Sequence, residues 1–168
     1  FYSMPALHPK GTHLAFLSWN HPNMPWDGTT LWVGKLKENG TLSDMKGIAG
    51  SENESVFQPM WSKEGALYYA SDRSGWWNIY QDGGGCLCPM EGEFGQPLWV
   101  FGMENYGLLN DGRIASVYTV KGIDYLGIIE PKTRSLETLD LPFTSYTGIK
   151  VVGDLLYFMA ASPQDPQM

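Results

Sequence analysis

Short apolar runs separated by glycine-closed polar turns set the pattern of this chain. Leu14-Ala15-Phe16-Leu17-Ser18 follows Pro5-Ala6-Leu7-His8-Pro9-Lys10-Gly11, and Leu67-Tyr68-Tyr69-Ala70-Ser71 follows Pro59-Met60-Trp61-Ser62-Lys63-Glu64-Gly65. Weaker copies are Leu109-Asn110-Asp111-Gly112 before Ile114 to Tyr118, and Val151-Val152-Gly153-Asp154 before Leu155 to Met159. Their turn glycines, Gly11, Gly65, Gly112 and Gly153, stand 54, 47 and 41 residues apart. A second β-rich run follows each hairpin, at Leu31 to Lys37, Trp77 to Tyr80 and Tyr125 to Ile129, and more polar runs follow at Thr41 to Met45 and Leu136 to Leu139. Apolar runs bounded by turn residues read as strands. Four strands in each period of roughly 40 to 50 residues is the signature of a β-propeller blade, the inner strands apolar and the outer ones polar.

The pattern therefore predicts an all-β fold, a propeller fragment of about three to four four-stranded blades. Approximate blades span 1–47, 48–95 and 96–145, with an incomplete fourth at 146–168. Every window of about 11 residues with a helical apolar period is interrupted by Gly or Pro, each of which costs a helix interior about 1 to 3 kcal/mol. A β-sandwich is the competing all-β reading, but it offers no reason for the glycine turn to recur once per four strands. Propellers close with roughly 4 to 8 blades, so open sheet faces and edges are expected, and with them a chain that aggregates or pairs as a homo-oligomer.

Composition agrees with a turn-dense β protein: 20 Gly and 11 Pro in 168 residues, with 14% aromatic side chains to build a core. With 11 basic and 18 acidic residues the formal charge is −7, and the basic residues form no run, which disfavours nucleic acid and anionic membrane surfaces as partners. The apolar run Leu155 to Ala161 is far short of the roughly twenty residues of a membrane helix. Cys86 and Cys88 are too close for an ordinary disulfide, and no second pair completes a zinc site. That fits a reducing, cytoplasmic compartment and leaves localisation open. The chain begins Phe1-Tyr2-Ser3 and ends just after a strand-like run, so it reads as a piece of a longer polypeptide.

The string Ser71-Asp72-Arg73-Ser74-Gly75-Trp76-Trp77-Asn78-Ile79-Tyr80 resembles the Ser-Asp-Arg-x-Gly turn of propeller repeats in the prolyl oligopeptidase superfamily and in TolB-like proteins. Longer segments resemble its dipeptidyl aminopeptidase and acylaminoacyl-peptidase-like serine peptidases: residues 17–29, Glu54 to Pro59, Cys88 to Gly95 and Leu139 to Thr144. The resemblance implies a parent enzyme with an N-terminal propeller and a C-terminal α/β-hydrolase domain bearing a Ser-Asp-His triad, absent from this chain. The usual Ser-Pro-Asp-Gly turn is altered to His8-Pro9-Lys10-Gly11 and Ser62-Lys63-Glu64-Gly65, but both keep the glycine.

No serine carries glycine two positions away on both sides, as the nucleophile elbow requires, and all three histidines (His8, His13, His21) lie in the first 21 residues. No catalytic residue, metal ligand or cofactor is expected in the chain. Asp72, Arg73 and Gly75 read as a structural turn, with Asp72 accepting backbone N–H groups in an Asx-type turn, Gly75 supplying a positive φ and Arg73 bracing a neighbouring strand. The loop from Trp19 to Thr30 occupies the hairpin position of Asp72 to Trp76 but is longer, and longer connections carry binding function. His21, Asn23, Trp26 and Asp27 are its candidates for lining substrate access, against a proline-stiffened interdomain packing loop as the plainer reading. Asp82 to Gly85 reads as a hairpin turn. Asn39-Gly40-Thr41 and Asn53-Glu54-Ser55 match the glycosylation acceptor, which matters only in a secreted protein.

The function expected is a non-catalytic propeller segment of a serine peptidase. It would filter short peptides on their way to the hydrolase domain of the same polypeptide. The alternative is a stand-alone TolB-like interaction scaffold, and a sugar-binding propeller is a third reading, resting only on seven tryptophans.

Overall fold

The computed structural model describes residues 1–164, so the last four residues of the fourth unit lie outside the described residues. Fourteen strands and no helix are found among them. The first sheet holds β1 (Tyr2–Leu7), β2 (His13–Ser18), β3 (Thr30–Leu36) and β4 (Leu42–Gly50). The second holds β5 (Val56–Trp61), β6 (Leu67–Ser71), β7 (Asn78–Gln81) and β8 (Gly85–Cys86). The third holds β9 (Tyr106–Leu108), β10 (Ile114–Val120), β11 (Ile123–Glu130) and β12 (Ser135–Thr138), and the fourth β13 (Ser145–Val152) and β14 (Leu155–Ala161). Each sheet is an antiparallel meander in chain order. The chain is a propeller fragment of three four-stranded blades and a two-stranded fourth sheet.

The four recurring turns close on a glycine in the left-handed region, with φ of 67° at Gly11, 89° at Gly65, 90° at Gly112 and 66° at Gly153. Only glycine adopts that conformation without strain, so this residue marks each first hairpin of a blade. A second repeat, not visible as a motif, lies in the first strands. The pairing register slips between Ser3 and Ala6, between Phe57 and Met60, and between Thr147 and Lys150. Each slip carries a positive φ, at Met4 (49°), Gln58 (52°) and Gly148 (64°). Pro5 and Pro59 follow the first two; a bulge on an edge strand is where a sheet tolerates proline.

The blades stack face to face, and the two-residue period of a strand sends alternate side chains into the two seams. In β6, Leu67 and Tyr69 join Ala15, Leu17, Leu31 and Val56 between the first and second sheets, while Tyr68 points the other way. In β10, Ile114 and Tyr118 face the second sheet, and Ala115 and Val117 pack with Leu126, Tyr146, Ile149 and Ala160 towards the fourth. Every residue of β6 is buried for this reason, covered on both faces. Between the second and third blades the seam is filled by the connection itself, which inserts Leu87, Cys88 and Phe94 among Tyr68, Ile79, Tyr106 and Ile129.

Candidate functional site

Successive turns of a meander lie alternately at its two ends. The connections 19–29, 51–55, 72–77, 87–105, 121–122 and 139–144 therefore share one end of the blades. This loop end is knitted together by polar groups. Asn23 Nδ2 donates to the Glu52 carbonyl at 3.0 Å, and Ser55 Oγ donates to the Pro25 carbonyl at 2.6 Å. Residues at or next to the start of each third strand grip the approach to the next blade. Thr29 Oγ1 accepts from the Val56 N–H at 2.6 Å, Asn78 exchanges two bonds with the Met90 backbone at 3.1 Å, and Asp124 Oδ2 accepts from the Tyr146 N–H at 3.2 Å.

Asp72 closes its turn with its backbone carbonyl and sends its carboxylate to the neighbouring connection. Its Oδ1 accepts from the Ser55 N–H at 2.8 Å, tying the second hairpin to the entry of β5, while the Gly75 N–H bonds the Asp72 carbonyl and Gly75 takes φ 83°. Burial, more than any neighbour, raises the Asp72 carboxyl above its usual range, and the Ser55 N–H pulls against that rise. Arg73 lies over the ring of Tyr80 at 4.5 Å, pairs with Glu54 at 2.8 Å and donates to Ser71 Oγ at 3.0 Å.

The four loop candidates are placed differently from one another. Asp27 turns back on its own loop, Oδ2 accepting from the Met24 N–H at 2.7 Å, and Asn23 is spent on Glu52. His21 is exposed. Trp26 is half-buried, its ring 4.2 Å from that of Trp99 on the 87–105 connection. Beyond this contact the connection displays Trp99, Val100 and Phe101, exposed by 69%, 64% and 75%. The feet of the display are fixed, because Leu98 is buried with Phe57 and Ala70, and Met103 packs on the same cluster. Phe101 also borders a groove of about 660 Å³ between the first strands, walled by Tyr2, Met4, Leu7, Met60 and Trp61.

No family model matches the chain, and no curated protein matches it. Among solved structures, a puromycin hydrolase is 36% identical with a TM-score of 0.92, over 99% of this chain and 26% of that one. A puromycin-hydrolyzing peptidase of Mycobacterium tuberculosis is 38% identical with a TM-score of 0.92, again over 99% of this chain and 26% of that one. The chain matches the propeller region of prolyl oligopeptidase-family hydrolases. It spans about a quarter of the length of these two proteins. TolB from Acinetobacter baumannii shares the fold at 19% identity and a TM-score of 0.58, covering 95% of this chain and 40% of that one.

Two features of this propeller fragment were not legible in the sequence. Gln58 is buried at the bulge of β5 and joins three blades: its N–H contacts Met4 Sδ, its Nε2 donates to the Tyr106 carbonyl at 2.7 Å, and its Oε1 accepts from the Asn105 N–H at 2.7 Å. The hydroxyl of fully buried Tyr106 returns a bond to the Gln58 carbonyl. The apolar run Leu98 to Phe101, bounded by Pro97 and Gly102, was the available signal for the display on the 87–105 connection. His8 is occupied structurally, accepting from the Lys10 N–H and set edge-on to Trp61 at 4.9 Å. Among the described residues no group of three or more His, Cys, Asp or Glu is placed to hold a metal ion.

Proposed function

We infer that this propeller is the non-catalytic part of a serine peptidase and filters short peptides on their way to a separate α/β-hydrolase domain of the same polypeptide. The observation that carries the reading is 36–38% identity over 99% of the chain to puromycin hydrolases, one of them named a peptidase. The parent would accordingly act on short peptides or small aminoacyl amides. Dipeptidyl and acylaminoacyl specificities are the finer forms suggested by the segments at residues 17–29 and 88–95.

The geometry supplies what a filter needs. First strands converge around the groove, and cross-blade bonds hold the inner ring: the Gln58 contacts, and the Trp61 indole donating to the Ala6 carbonyl at 3.1 Å. At the outer rim Arg134 donates to the Gly84 carbonyl at 2.6 Å. Blades latched at both radii in this way would give a closed propeller a fixed opening that sizes substrates by exclusion. The loop at 19–29 lines the approach, with His21 as its exposed polar group, Trp26 as its apolar wall, and Asn23 and Asp27 holding its shape.

The test uses the full parent polypeptide. It should label with a serine-reactive fluorophosphonate, and its kcat/KM should fall about tenfold or more between short peptides and peptides the size of a folded domain. A parent that neither labels nor hydrolyses overturns the reading and leaves a TolB-like scaffold.

A further inference from the structure

The three consecutive side chains Trp99, Val100 and Phe101 form a ridge built to be displayed. Leu98 on one side and Met103 on the other are drawn into the cluster around Phe57 and Ala70. Gly102, at φ 84°, turns the chain back between them. The residues between the two anchors are thereby turned outward, and Trp26 braces the ridge through its ring contact with Trp99. Preorganised aromatic side chains of this kind are the anchors of protein interfaces, and so large an apolar display is rarely left against water.

The shape of the ridge discriminates between occupants. Small molecules and short peptides are bound in concavities, whereas Trp99 and Val100 stand outside the groove that Phe101 borders and offer adjacent exposed apolar side chains of the kind that anchor a folded partner. This chain covers 26% of each of the two puromycin hydrolases, which extend far beyond the matched region, so a parent polypeptide of that length has room for a folded partner. Tethering gives such a partner an effective concentration in the millimolar range without any further affinity. We propose that Trp99, Val100 and Phe101, stapled by Trp26, are the docking ridge by which this propeller seats in an apolar groove of the hydrolase domain of its own polypeptide. The inference rests on the peptidase reading above and names the contact that reading leaves open.

The test places the photocrosslinking residue p-benzoylphenylalanine at Phe101 in the full parent polypeptide, and fluorophosphonate labelling of the same sample reports whether the hydrolase domain is present and active. Phe101 is exposed in the blades, so the substitution does not disturb their packing. The expected result is a crosslink from position 101 to a peptide of the hydrolase domain, unchanged by a saturating short peptide. A labelled protein that crosslinks to another propeller segment, to a second copy, to the added peptide, or to nothing overturns the docking ridge and leaves the peptidase reading standing. An unlabelled protein overturns both.

Discussion

At the scale of single residues, the strongest constraints are polar groups placed where water cannot reach. Gln58 satisfies the Tyr106 carbonyl and the Asn105 N–H with one side chain. Gln58→Leu strands both, and unfolding should lose roughly 2 to 4 kcal/mol in a denaturant titration. Asp72 gives the opposite lesson about charge. Burial raises its carboxyl, so the bond to Ser55, and not the negative charge, is what the fold uses. A folded-state value above the unfolded one means that the Asp72 contribution to stability is fully present below its unfolded value and is lost as pH rises through the raised one. Asp72→Asn, which keeps the acceptor, should therefore be no less stable than the parent at neutral pH, whereas Asp72→Ala should lose about 1 to 2 kcal/mol of unfolding free energy in a denaturant titration. Burial pushes the Cys88 thiol up to about 12 from 9.0, with Cys86 adding to the rise. The native protein holds that proton while the unfolded chain releases it, so stability should fall between about pH 9 and 12, and Cys88→Ala should flatten that limb of the pH–stability curve. Alkylation of Cys88 at neutral pH should require unfolding.

At the scale of elements, turn chemistry and strand alternation suffice to place strands but not to place bulges. The glycine turns were legible because a left-handed residue is a local demand, met by one residue type. Gly50, at φ 90° on the last residue of β4, makes the same demand with less room: an added Cβ would lie 1.8 Å from the Thr29 carbonyl oxygen. Gly50→Ala should cost more than about 1 kcal/mol, several times the effect of the same change at open Gly40, and paired thermal melts check the difference. The bulges at Met4 and Gln58 were not legible, because neither residue type prefers a positive φ. What holds Gln58 in that conformation is a set of bonds to residues nearly fifty positions away. For the loop at 19–29 the sequence showed an unusual length but gave Asp27 and Asn23 the same standing as Trp26. Only their partners, Met24, Glu52 and Trp99, separate the residues that shape the loop from the one that meets another connection.

At the scale of the molecule, the two ends of the blade stack differ from its middle. The middle blades bury both sheet faces, as β6 shows, while β14 sends Leu156, Phe158 and Ala160 inward and leaves Leu155, Tyr157 and Met159 exposed by 60%, 54% and 48%. An apolar outer face on a two-stranded sheet with an open edge is a surface for further strands or for another copy. The 168-residue chain by itself should self-associate, and Leu155→Lys with Tyr157→Lys should shift it towards monomer in light scattering. A monodisperse wild-type monomer with sharp cooperative melting would contradict this.

The sequence by itself determined the all-β class, the glycine-closed hairpins and the blade repeat, because alternation and turn conformation are set by neighbours a few residues apart. Its resemblance to the prolyl oligopeptidase superfamily, carried by the Ser71 to Tyr80 string and the longer segments, was legible for the same reason. Tertiary structure alone decided which polar residues latch the blades, which faces are buried twice, and that Trp99 to Phe101 stand out as a ridge. Those outcomes depend on contacts such as Gln58 with Tyr106 and Trp26 with Trp99, made between residues that only the stacking of whole sheets brings together.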